Sequence, residues 1–474
     1  MSNTKRLESD SIGTLEIPKE AYYGVQSLRA KENFHITGRR MNPLMIVSLA
    51  EIKKAAAIAN EEAGLLDEKI AKAMIQACDE IIEGKLHEEF IIDPIQGGAG
   101  TSANMNANEV VANRAIEILG GEKGDYSIVH PNDHVNMAQS TNDVYPTAGK
   151  LTVLKLIPRL LDELHRLSDA LHEKAEEFDD VIKMGRTQLQ DAVPIRLGQS
   201  FQCYSLAIAR DIKRIDKVLN ELRAINMGGT AIGTALNACP EYLETIVGRL
   251  KEVTGIEIVH AGNLIDSTQN LDGLVNISGT MKVCAVNLSK MGNDLRLLSS
   301  GPRTGFNEIN LPAKQNGSSI MPGKVNPVIP EVVSQVAFNV IGNDMTITMA
   351  AEAGQMELNA FEPVIFYNMF EQIITLTGAV RTFTDNCIKG ITANRERCKA
   401  LVEGSVGIIT AICPYIGYKK AADIAKTSLK TNEPVRDLIL KEKLLTEEQL
   451  NKLLDPYAMT NPGGSVIDMI STAK

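Results

Sequence analysis

Residues 151–178 read LTVLKLIPRLLDELHRLSDALHEKAEEF, and the spacing of their apolar side chains decides the fold class. The apolar positions recur every three or four residues: Val153, Leu154, Ile157, Leu160, Leu161, Leu164, Leu167 and Leu171. This period predicts a helix with one apolar face. Pro158 predicts a kink within the helix, because the apolar stripe continues past the proline. Asn142 or Asp143 can cap the helix, with Pro146 near its first turn.

Four more helical patterns follow along the chain. The second runs from Val193 to about Ala224, the third fills Asn263 to Ser299, the fourth begins near Ile329 and the fifth near Pro363. Short β segments are predicted only near residues 12–17 and 255–259. The fold class is therefore predicted to be mainly α.

The third helical pattern carries many polar residues between its apolar ones. They are Asn270, Asn276, Ser278, Thr280, Asn287, Ser289 and Asn293. Two interpretations stay open at this point. The helix is either buried among other subunits, with its polar groups hydrogen-bonded across the contacts, or partly exposed to solvent.

The length of 474 residues allows about three domains of roughly 150 residues each. Residues 1–140 mix helical runs with Gly- and Asn-rich segments and are predicted to form an N-terminal domain. Residues 141–395 are mostly long helical patterns, which predict a central helical bundle. Residues 396–474 are broken by prolines and are predicted to form a small C-terminal helical domain.

The composition excludes several classes of protein. Hydrophobic residues make up 44% and charged residues 23% of the chain, as in soluble globular proteins. The formal net charge of −10 argues against a nucleic-acid binder, which needs a basic face. No apolar run reaches the ~20 residues of a membrane span, and the polar residues 1–10 lack a signal-peptide core. The seven cysteines form no CxxC pair, which predicts a reduced, cytoplasmic chain.

Four polar segments interrupt the helical patterns: GGAGTSANMNANE at 97–109, HPNDHVNMAQSTND at 130–143, GRTQLQD at 185–191 and GSSIMPGKVNP at 317–327. Each combines hydroxyl and amide side chains near a predicted helix start, where free N–H groups bind carboxylates. Taken singly, each of the first two is better explained by local structure, as a tight turn or a helix cap. The two glycines and two prolines of residues 317–327 predict a loop carrying hydroxyls, a lysine and an amide, which is typical of an anion-handling catalytic site.

No metal or nucleotide motif is predicted. His130 and His134 lie four residues apart, but Pro131 separates them and no HExxH context exists. The glycines at 97–100 lack a preceding strand and a βαβ unit, so they do not predict a nucleotide loop.

The length of the first long helix predicts an oligomer. A helix over about residues 146–178 is ~50 Å long at about 1.5 Å per residue. Ser140 precedes its start and Thr187 follows its end. If both residues serve one site, that site is more easily assembled from several chains than within one.

Together the four segments resemble the aspartase/fumarase superfamily. GSSIMPGKVNP at 317–327 is similar to the signature loop of that family, and GTSANMNANEV at 100–110, HPNDHVNMAQSTND at 130–143 and GRTQLQDAVP at 185–194 match its other blocks. The resemblance implies a three-domain fold with a central five-helix bundle. It also implies a homotetramer with a twenty-helix core and active sites shared by three subunits.

Within the superfamily, the residues favour the aspartase branch over the class II fumarases. Residues 140–143 read STND, where fumarases usually show SSND, and residues 22–29, 341–344 and 349–359 are also similar to aspartases. Fumarases carry a histidine at the position of Gln188, paired with a glutamate that corresponds to Glu331. Hydroxide needs a general acid to leave, whereas an ammonium group already carries its proton, so Gln188 suits deamination better than dehydration.

The implied reaction is the reversible deamination of L-aspartate to fumarate and ammonium, by anti-elimination through an aci-carboxylate. The family match assigns Ser318 as the general base, with the N–H groups of Ile320 and Met321 and the charge of Lys324 stabilising its alkoxide. The remaining contacts that the match implies are Thr101, Ser140, Thr141 and Ser319 for the β-carboxylate, Lys324, Asn326 and Thr187 for the α-carboxylate, and Asn142 with Gln188 and Thr101 for the amino group.

Three further points complete the expectation. No organic cofactor is implied, and although some aspartases are activated by Mg²⁺, no ligand cluster in the sequence predicts this. His130, Asn132 and Asp133 match a secondary anion-binding segment of the fumarase branch, and a structural role at a helix start explains them equally well. Class II fumarase is the nearest alternative, followed by argininosuccinate or adenylosuccinate lyases and by a non-catalytic helical assembly that has kept the fold.

Overall fold

The computed structural model describes residues 4–461. Its helices are α1 (Val25–Asn33), α2 (Pro43–Glu62), α3 (Glu68–Ile82), α4 (Thr101–Ile118), α5 (Thr141–Glu177), α6 (Leu197–Val218), α7 (Pro240–Thr254), α8 (Leu264–Gln269), α9 (Asp272–Leu298), α10 (Val328–Glu352), α11 (Glu362–Asn386), α12 (Arg395–Gly404), α13 (Ile409–Ile416), α14 (Tyr418–Thr431), α15 (Val435–Lys441), α16 (Glu447–Leu453) and α17 (Pro456–Thr460). Helices dominate the described residues, and the mainly α class is confirmed.

The strands of the described residues form four two-stranded sheets. Three pairs are antiparallel: β1 (Lys5–Ser9) with β2 (Thr14–Pro18), β3 (Ile182–Thr187) with β4 (Gln190–Arg196), and β7 (Ile309–Asn310) with β8 (Thr392–Ala393). The parallel pair is β5 (Ala224–Ile225) with β6 (Val259–His260). The prediction of only two short β segments underestimates the number of strands, chiefly because it misses the β3–β4 hairpin.

The chain forms two compact units. The first contains residues 1–161, 213–285 and 338–377, and the second contains residues 162–212, 286–337 and 378–474. Each of the five boundaries falls inside one of the long helices α5, α6, α9, α10 and α11. The three-domain division at residues 140 and 395 stays a prediction, and the last 13 residues of its C-terminal domain, 462–474, lie outside the described residues.

The first unit is organised around α2, which packs against α3 and α7. Asn42 caps α2 by accepting a hydrogen bond from the N–H of Leu44 at 2.9 Å, and Pro43 occupies the first helical position, where its missing N–H costs nothing. Most of α2 is buried, including the polar side chains of Glu51 and Lys53. A charged side chain inside a core requires partners: Glu51 is paired with Lys155 of α5, and the partners of Lys53 belong to the candidate site below.

The second unit has its own apolar core between the β3–β4 hairpin and the helices near the C-terminus. The buried side chains of this core are Met184, Val402, Ile408, Ile412, Ile424, Val435, Leu438, Ile439 and Leu450. Gly407 permits the close packing, because a Cβ there would lie 2.3 Å from the carbonyl oxygen of Ala192 on β4. The hairpin is thereby fixed along its length by contacts distant in sequence.

The start of α5 corrects the sequence-based prediction of its cap. The helix begins at Thr141, and Ser140 caps it by accepting a hydrogen bond from the N–H of Asn142 at 3.2 Å. Neither Asn142 nor Asp143 is the cap. Pro146 lies in the second turn rather than the first, and so its missing N–H leaves the carbonyl of Asn142 without a helical partner.

Two other predicted helices have different bounds in the structure. The second begins at Leu197 rather than Val193, because residues 190–196 form β4. The third is interrupted at Asn270, which has an extended backbone (φ −103°, ψ 130°) and separates α8 from α9. The fourth and fifth helices begin at Val328 and Glu362, each within one residue of the predicted start.

Three of the polar side chains of α9 contact neighbouring helices of the same chain. Ser278 donates to the Asp344 carboxylate at 2.7 Å in the first unit. In the second unit, the amide of Asn287 donates to Asp211 at 2.8 Å, and the hydroxyl of Ser289 lies 3.2 Å from that of Ser334. Ser278 is buried, whereas Asn276 and Asn293 are exposed in the single chain, so partial exposure holds for some of these residues. Burial between subunits stays a prediction.

No single helix among residues 4–461 is both long and apolar enough to cross a membrane. One bent pair of helices, residues 395–404 and 406–416, is long and apolar enough by length and composition when the two helices are taken together.

A test of the packing in the first unit is Gly149→Ala in α5. A Cβ at this position would lie 2.1 Å from the ring of Phe366, which is itself buried against Tyr145 and Phe370 and cannot move aside. Overpacking of this kind costs about 1–3 kcal/mol. We therefore expect a lower urea midpoint than that of the unmodified protein.

The matched control is Gly248→Ala in α7, where a Cβ meets no atom within 4 Å. Helix propensity there favours alanine by up to about 1 kcal/mol, so its midpoint should stay the same or rise. Equal destabilisation by both substitutions would contradict the packing described for Gly149.

Candidate functional site

The loop at residues 317–327 surrounds the hydroxyl of Ser318 with backbone donors. The Ser318 Oγ accepts hydrogen bonds from the N–H of Ile320 at 3.2 Å and from the N–H of Met321 at 3.0 Å. Two N–H groups aimed at one oxygen stabilise negative charge on it. The predicted partners of the Ser318 oxygen are thus in contact with it, and the arrangement is suited to an alkoxide.

The same loop is closed at its base by its own backbone. The N–H of Gly317 donates to the carbonyl of Lys324 at 2.9 Å, and the side-chain amide of Asn326 donates to the carbonyl of Gly317 at 2.7 Å. A Cβ at Gly317 would lie 2.3 Å from the Lys324 oxygen, so only glycine permits this closure. Asn326, predicted to bind a carboxylate, therefore also holds the two ends of the loop together, while the exposed tip carries Ile320.

Thr187 and Gln188 lie on the β3–β4 hairpin rather than at the helix start that the sequence predicted. Thr187 pairs with Gln190, and the two residues between them form the turn. Both turn residues, Gln188 (φ 54°) and Leu189 (φ 61°), have left-handed backbone conformations, as a two-residue turn of this kind requires. Asn-Gly is the usual sequence for such a turn, which explains why Gln-Leu did not signal it.

A buried carboxylate anchors this hairpin within the second unit. Arg186 of β3 donates to both oxygens of Glu308 at 3.0 Å, and its guanidinium stacks 4.1 Å above the ring of Phe306. Lys183 lies 3.5 Å from the same carboxylate, and burial lowers the pKa of its amine. Glu308 is fully buried, so these two cations compensate a charge that water cannot reach.

Thr101 is the first residue of α4, after a turn built from glycines. Gly98, Ala99 and Gly100 all have positive φ angles, of 84°, 56° and 91°. A Cβ at Gly100 would lie 2.4 Å from the ring of Tyr145, so this position requires glycine for space as well as for conformation. The Thr101 hydroxyl donates to the carbonyl of Gly98 at 2.7 Å.

Ser140, Thr141 and Asn142 form the first turn of α5, which lies beside α4. The amide of Asn104 on α4 donates to the hydroxyl oxygen of Thr141 at 3.1 Å. The amide of Asn142 donates to the carbonyl of Ala231 at 2.7 Å. The structure thus gathers these side chains at the starts of two neighbouring helices, where backbone N–H groups and helix dipoles favour anions.

Two buried charged residues lie beneath this turn. The Asp143 carboxylate accepts hydrogen bonds from the N–H groups of Ser140 and Thr230, at 2.9 and 3.0 Å. Lys53 donates to the side-chain oxygens of Asn136 and Gln139, each at 2.9 Å. Burial raises the pKa of Asp143 to about 7 and lowers the pKa of Lys53 to about 7, while the attraction between the two charges opposes both shifts.

His130 has a structural function in this fold. Its Nδ1 accepts hydrogen bonds from the N–H groups of Asn132 and Asp133, at 3.2 Å each, and so caps a single π-helical turn at residues 131–135. The N–H of His130 donates in turn to Nδ1 of His134 at 2.9 Å. Among residues 4–461, no three His, Cys, Asp or Glu side chains lie close enough together to hold a metal ion.

The predicted site residues fall into separate groups. Thr101 and residues 140–142 lie in the first unit, whereas Thr187, Gln188 and the loop at 317–327 lie in the second. Each group is held by its own network of hydrogen bonds, as described above. The catalytic and binding roles assigned to these residues from the sequence stay predictions.

Comparison with known proteins places the chain in a family. The family model described as Lyase matches residues 13–342, and that described as Fumarase C C-terminus matches residues 408–461. The chain belongs to this lyase family. The resemblance to the aspartase/fumarase superfamily is therefore confirmed.

Several members of the family named aspartate ammonia-lyase are similar to the chain over nearly its whole length. The protein from Bacillus sp is 56% identical over 463 residues, which cover 98% of this chain and 99% of that protein. The Bacillus subtilis (strain 168) protein is 55% identical, covering 97% and 96% of the two chains. The Escherichia coli (strain K12) protein is 48% identical, covering 98% and 97%.

Two solved structures of the lyase family share the fold. A fumarate lyase:delta crystallin from Brucella melitensis, bound to cobalt, has a TM-score of 0.94 and 50% identity, covering 97% of this chain and 100% of that one. A recombinant class II fumarase from Schistosoma mansoni has a TM-score of 0.93 but only 35% identity, covering 97% and 99%. The aspartate ammonia-lyases are thus nearer to this chain in sequence than the fumarase is.

The structure adds site elements that sequence reasoning missed. Residues 226–231, NMGGTA, lie against the first turn of α5 and contact both Asn142 and Asp143. Their paired glycines are the signal that could have identified them as a tight loop. Lys53 gave no signal, because it lies in the apolar pattern of α2, 90 positions before Asp143.

Proposed function

We propose that the chain is an aspartate ammonia-lyase that reversibly converts L-aspartate to fumarate and ammonium. Sequence identities of 48–56% to proteins of that name, over 96–98% of the chain, support this function above that of class II fumarase. The observation that carries the chemistry is the pair of backbone N–H groups donating to the Ser318 oxygen.

The first step of the proposed reaction is removal of the C3 proton by Ser318. A free serine hydroxyl is far too weak an acid to lose its proton at neutral pH, so the alkoxide needs stabilisation by its surroundings. The N–H groups of Ile320 and Met321 contact the oxygen and supply part of it, and Lys324, seven residues after Gly317 in the same loop, adds positive charge. The electron pair of the broken C–H bond moves onto the β-carboxylate, which becomes the aci-carboxylate.

The second step is loss of the amino group from C2 on the opposite face. The electron pair returns from the aci-carboxylate to form the C2–C3 double bond as the C–N bond breaks. Ammonia leaves neutral because the α-ammonium group already carries the extra proton, and so no general acid is required. Gln188 and Asn142 contact the departing group in this proposal, and the amide of Gln188 cannot serve as a titrating acid.

The carboxylates are held by hydroxyl, amide and lysine groups. Thr101, Ser140, Thr141 and Ser319 bind the β-carboxylate, where charge accumulates in the intermediate. Lys324, Asn326 and Thr187 bind the α-carboxylate. The positions of the first three residues at the N-terminal turns of α4 and α5 support this assignment, because helix N-termini favour anions.

We further propose that the active enzyme is a homotetramer with active sites shared by three subunits. Two features support it. Helix α5 contains 37 residues and is therefore about 55 Å long, too long for the residues before and after it to share a site in one chain. On α10, large apolar side chains lie exposed along one face at Phe338 (64%), Met345 (61%) and Met349 (64%), as expected of a surface that packs against another copy.

No organic cofactor is part of the proposed reaction, and Mg²⁺ activation stays an untested analogy with other aspartases. A cytoplasmic location stays a prediction from cysteine usage.

The proposed activity is tested by incubating the protein with fumarate, with and without ammonium, and following the absorbance of fumarate. We expect fumarate to be consumed only when ammonium is present, with aspartate as the product identified by chromatography. The reverse assay should release fumarate from L-aspartate. Formation of malate without ammonium would instead assign the fumarase activity and refute the proposal.

The proposed base is tested by Ser318→Ala. General bases contribute about 10²–10⁴-fold, so we expect kcat for L-aspartate to fall by at least this factor while the Kd for the substrate changes little. The measurement combines steady-state kinetics with calorimetric binding of L-aspartate.

The control for Ser318→Ala is Thr446→Ala, which also removes a hydroxyl that accepts a backbone N–H at a turn. Loss of the Thr446 cap should cost about 1 kcal/mol of stability without changing kcat. Near-normal turnover by Ser318→Ala would remove Ser318 as the base.

The proposed assembly is tested by Met345→Glu, with analytical ultracentrifugation as the measurement. The unmodified protein should sediment as four 51.5 kDa chains. A carboxylate on the exposed face of α10 should dissociate the assembly and abolish activity together, since burying an unpaired charge is costly.

Leu429→Glu serves as the control for the assembly, because Leu429 on α14 is also an exposed apolar residue, at 72%. It should leave the tetramer and the activity unchanged. A fully active monomeric protein would contradict the shared-site proposal.

A further inference from the structure

The loop at residues 226–231 is tied to the first turn of α5 by one buried carboxylate. Asp143 Oδ1 accepts from the N–H of Ser140 at 2.9 Å, while Oδ2 accepts from the N–H groups of Gly228 at 3.1 Å and Thr230 at 3.0 Å. Because both oxygens are used, the carboxylate fixes the distance between two segments that are 85 residues apart in sequence. Asp143 is fully buried, so water does not compete for these bonds.

A second contact between the loop and α5 follows from Pro146. In a regular helix, the N–H of residue 146 would donate to the carbonyl of Asn142, four residues earlier. Proline has no N–H, and the side-chain amide of Asn226 takes its place by donating to the Asn142 carbonyl at 3.0 Å. Asn226 is fully buried and its amide also donates to Thr268 at 2.9 Å, so its position is fixed from the loop side.

The loop also sets which way the Asn142 side chain faces. The amide nitrogen of Asn142 donates to the carbonyl of Ala231 at 2.7 Å. A carbonyl oxygen can only accept, so the nitrogen must be the atom facing Ala231. The amide oxygen of Asn142 therefore lies on the other branch of the side chain and faces away from the loop as an acceptor.

An acceptor is what recognition of ammonium requires. An ammonium group has only N–H donors, whereas a hydroxyl group or water can be bound by a donor or an acceptor. The orientation of the Asn142 amide thus matters for an amino substrate and much less for a hydroxy substrate.

We propose that Asp143 and Asn226 are positioning residues that hold the Asn142 carboxamide oxygen towards the amino group of the substrate. This inference rests on the proposed ammonia-lyase function. Neither residue touches the substrate, and both act through Asn142.

The test is Asp143→Asn, assayed in the direction of aspartate formation. The two side chains have the same shape, but the new amide nitrogen cannot accept a hydrogen bond, and so either Ser140 or the loop loses its contact. We expect KM for ammonium to rise about tenfold or more, while KM for fumarate stays within about twofold. Equal changes in the two KM values, or no change in either, would overturn the inference.

Glu109→Gln is the matched control for Asp143→Asn. Glu109 is also a buried carboxylate that accepts backbone N–H groups, from Gly24, Gln26 and Ser27, in the same unit of the chain. A general loss of stability should affect both variants, whereas the change in KM for ammonium should be confined to Asp143→Asn. Folding is checked in each by far-ultraviolet circular dichroism and thermal unfolding.

A second route covers the case in which Asp143→Asn does not fold. Asn226→Ala removes the donor to the Asn142 carbonyl, and it should raise KM for ammonium selectively. Adding Pro146→Ala restores a helical N–H to that carbonyl and should recover part of the loss. An Asn226→Ala protein with unchanged KM values would overturn the inference on its own.

The outcomes for the inference and for the proposed function are distinct. Unmodified protein that forms no aspartate from fumarate and ammonium would refute the ammonia-lyase function. Unmodified protein that forms aspartate, together with variants that keep the same ratio of KM values, would refute only the positioning role.

Discussion

The length of helix α5 is the constraint on which the candidate site depends. The helix has 37 residues, which corresponds to about 55 Å, and it carries predicted substrate contacts before its first turn and after its last. Aspartate is only a few ångströms long, so groups at the two ends of one such helix cannot both touch one molecule of it. If Ser140 and Thr187 serve one site, this length favours the proposal made above that the site is assembled from several chains.

The same helix requires a polar interior at its N-terminal end. Its first turn presents hydroxyl and amide side chains, and apolar packing alone cannot hold such groups in place. The residues beneath the turn must therefore include polar or charged partners. Asp143 and Lys53 do this at a cost, because burial disfavours the charged form of each, and their mutual attraction and several hydrogen bonds offset part of that cost. Each of the two is also held by its own hydrogen bonds, Asp143 by backbone N–H groups and Lys53 by the side chains of Asn136 and Gln139.

The long helices could be predicted from the sequence because their apolar periodicity is repeated over many turns. The sequence predicts the starts of the fourth and fifth helices to within one residue, whereas it predicts a helix at residues 193–196, which belong to β4. The β3–β4 hairpin is short, and its turn residues Gln188 and Leu189 are unusual for that geometry, so neither period nor turn chemistry indicated it. The hydrogen bond from the N–H of Gly228 to the Asp143 carboxylate joins positions 85 residues apart. Contacts between a side chain and a distant backbone group leave no periodic pattern in the sequence.

Among residues 4–461, five of the twelve non-glycine residues with a positive φ angle lie in or beside the predicted site. Ala99 and Ala138 lie two positions before Thr101 and Ser140, and both have positive φ angles of 56°. Gln188 (φ 54°) is itself a predicted contact, and Thr230 (φ 56°) belongs to the loop that positions Asn142. Left-handed conformations at residues with a Cβ cost about 1–2 kcal/mol each, and they persist only where surrounding contacts hold them. At these positions the surrounding contacts are a carboxylate, a strand pairing and close packing at the start of a helix. The fold therefore holds the geometry of the site against the local preferences of the backbone.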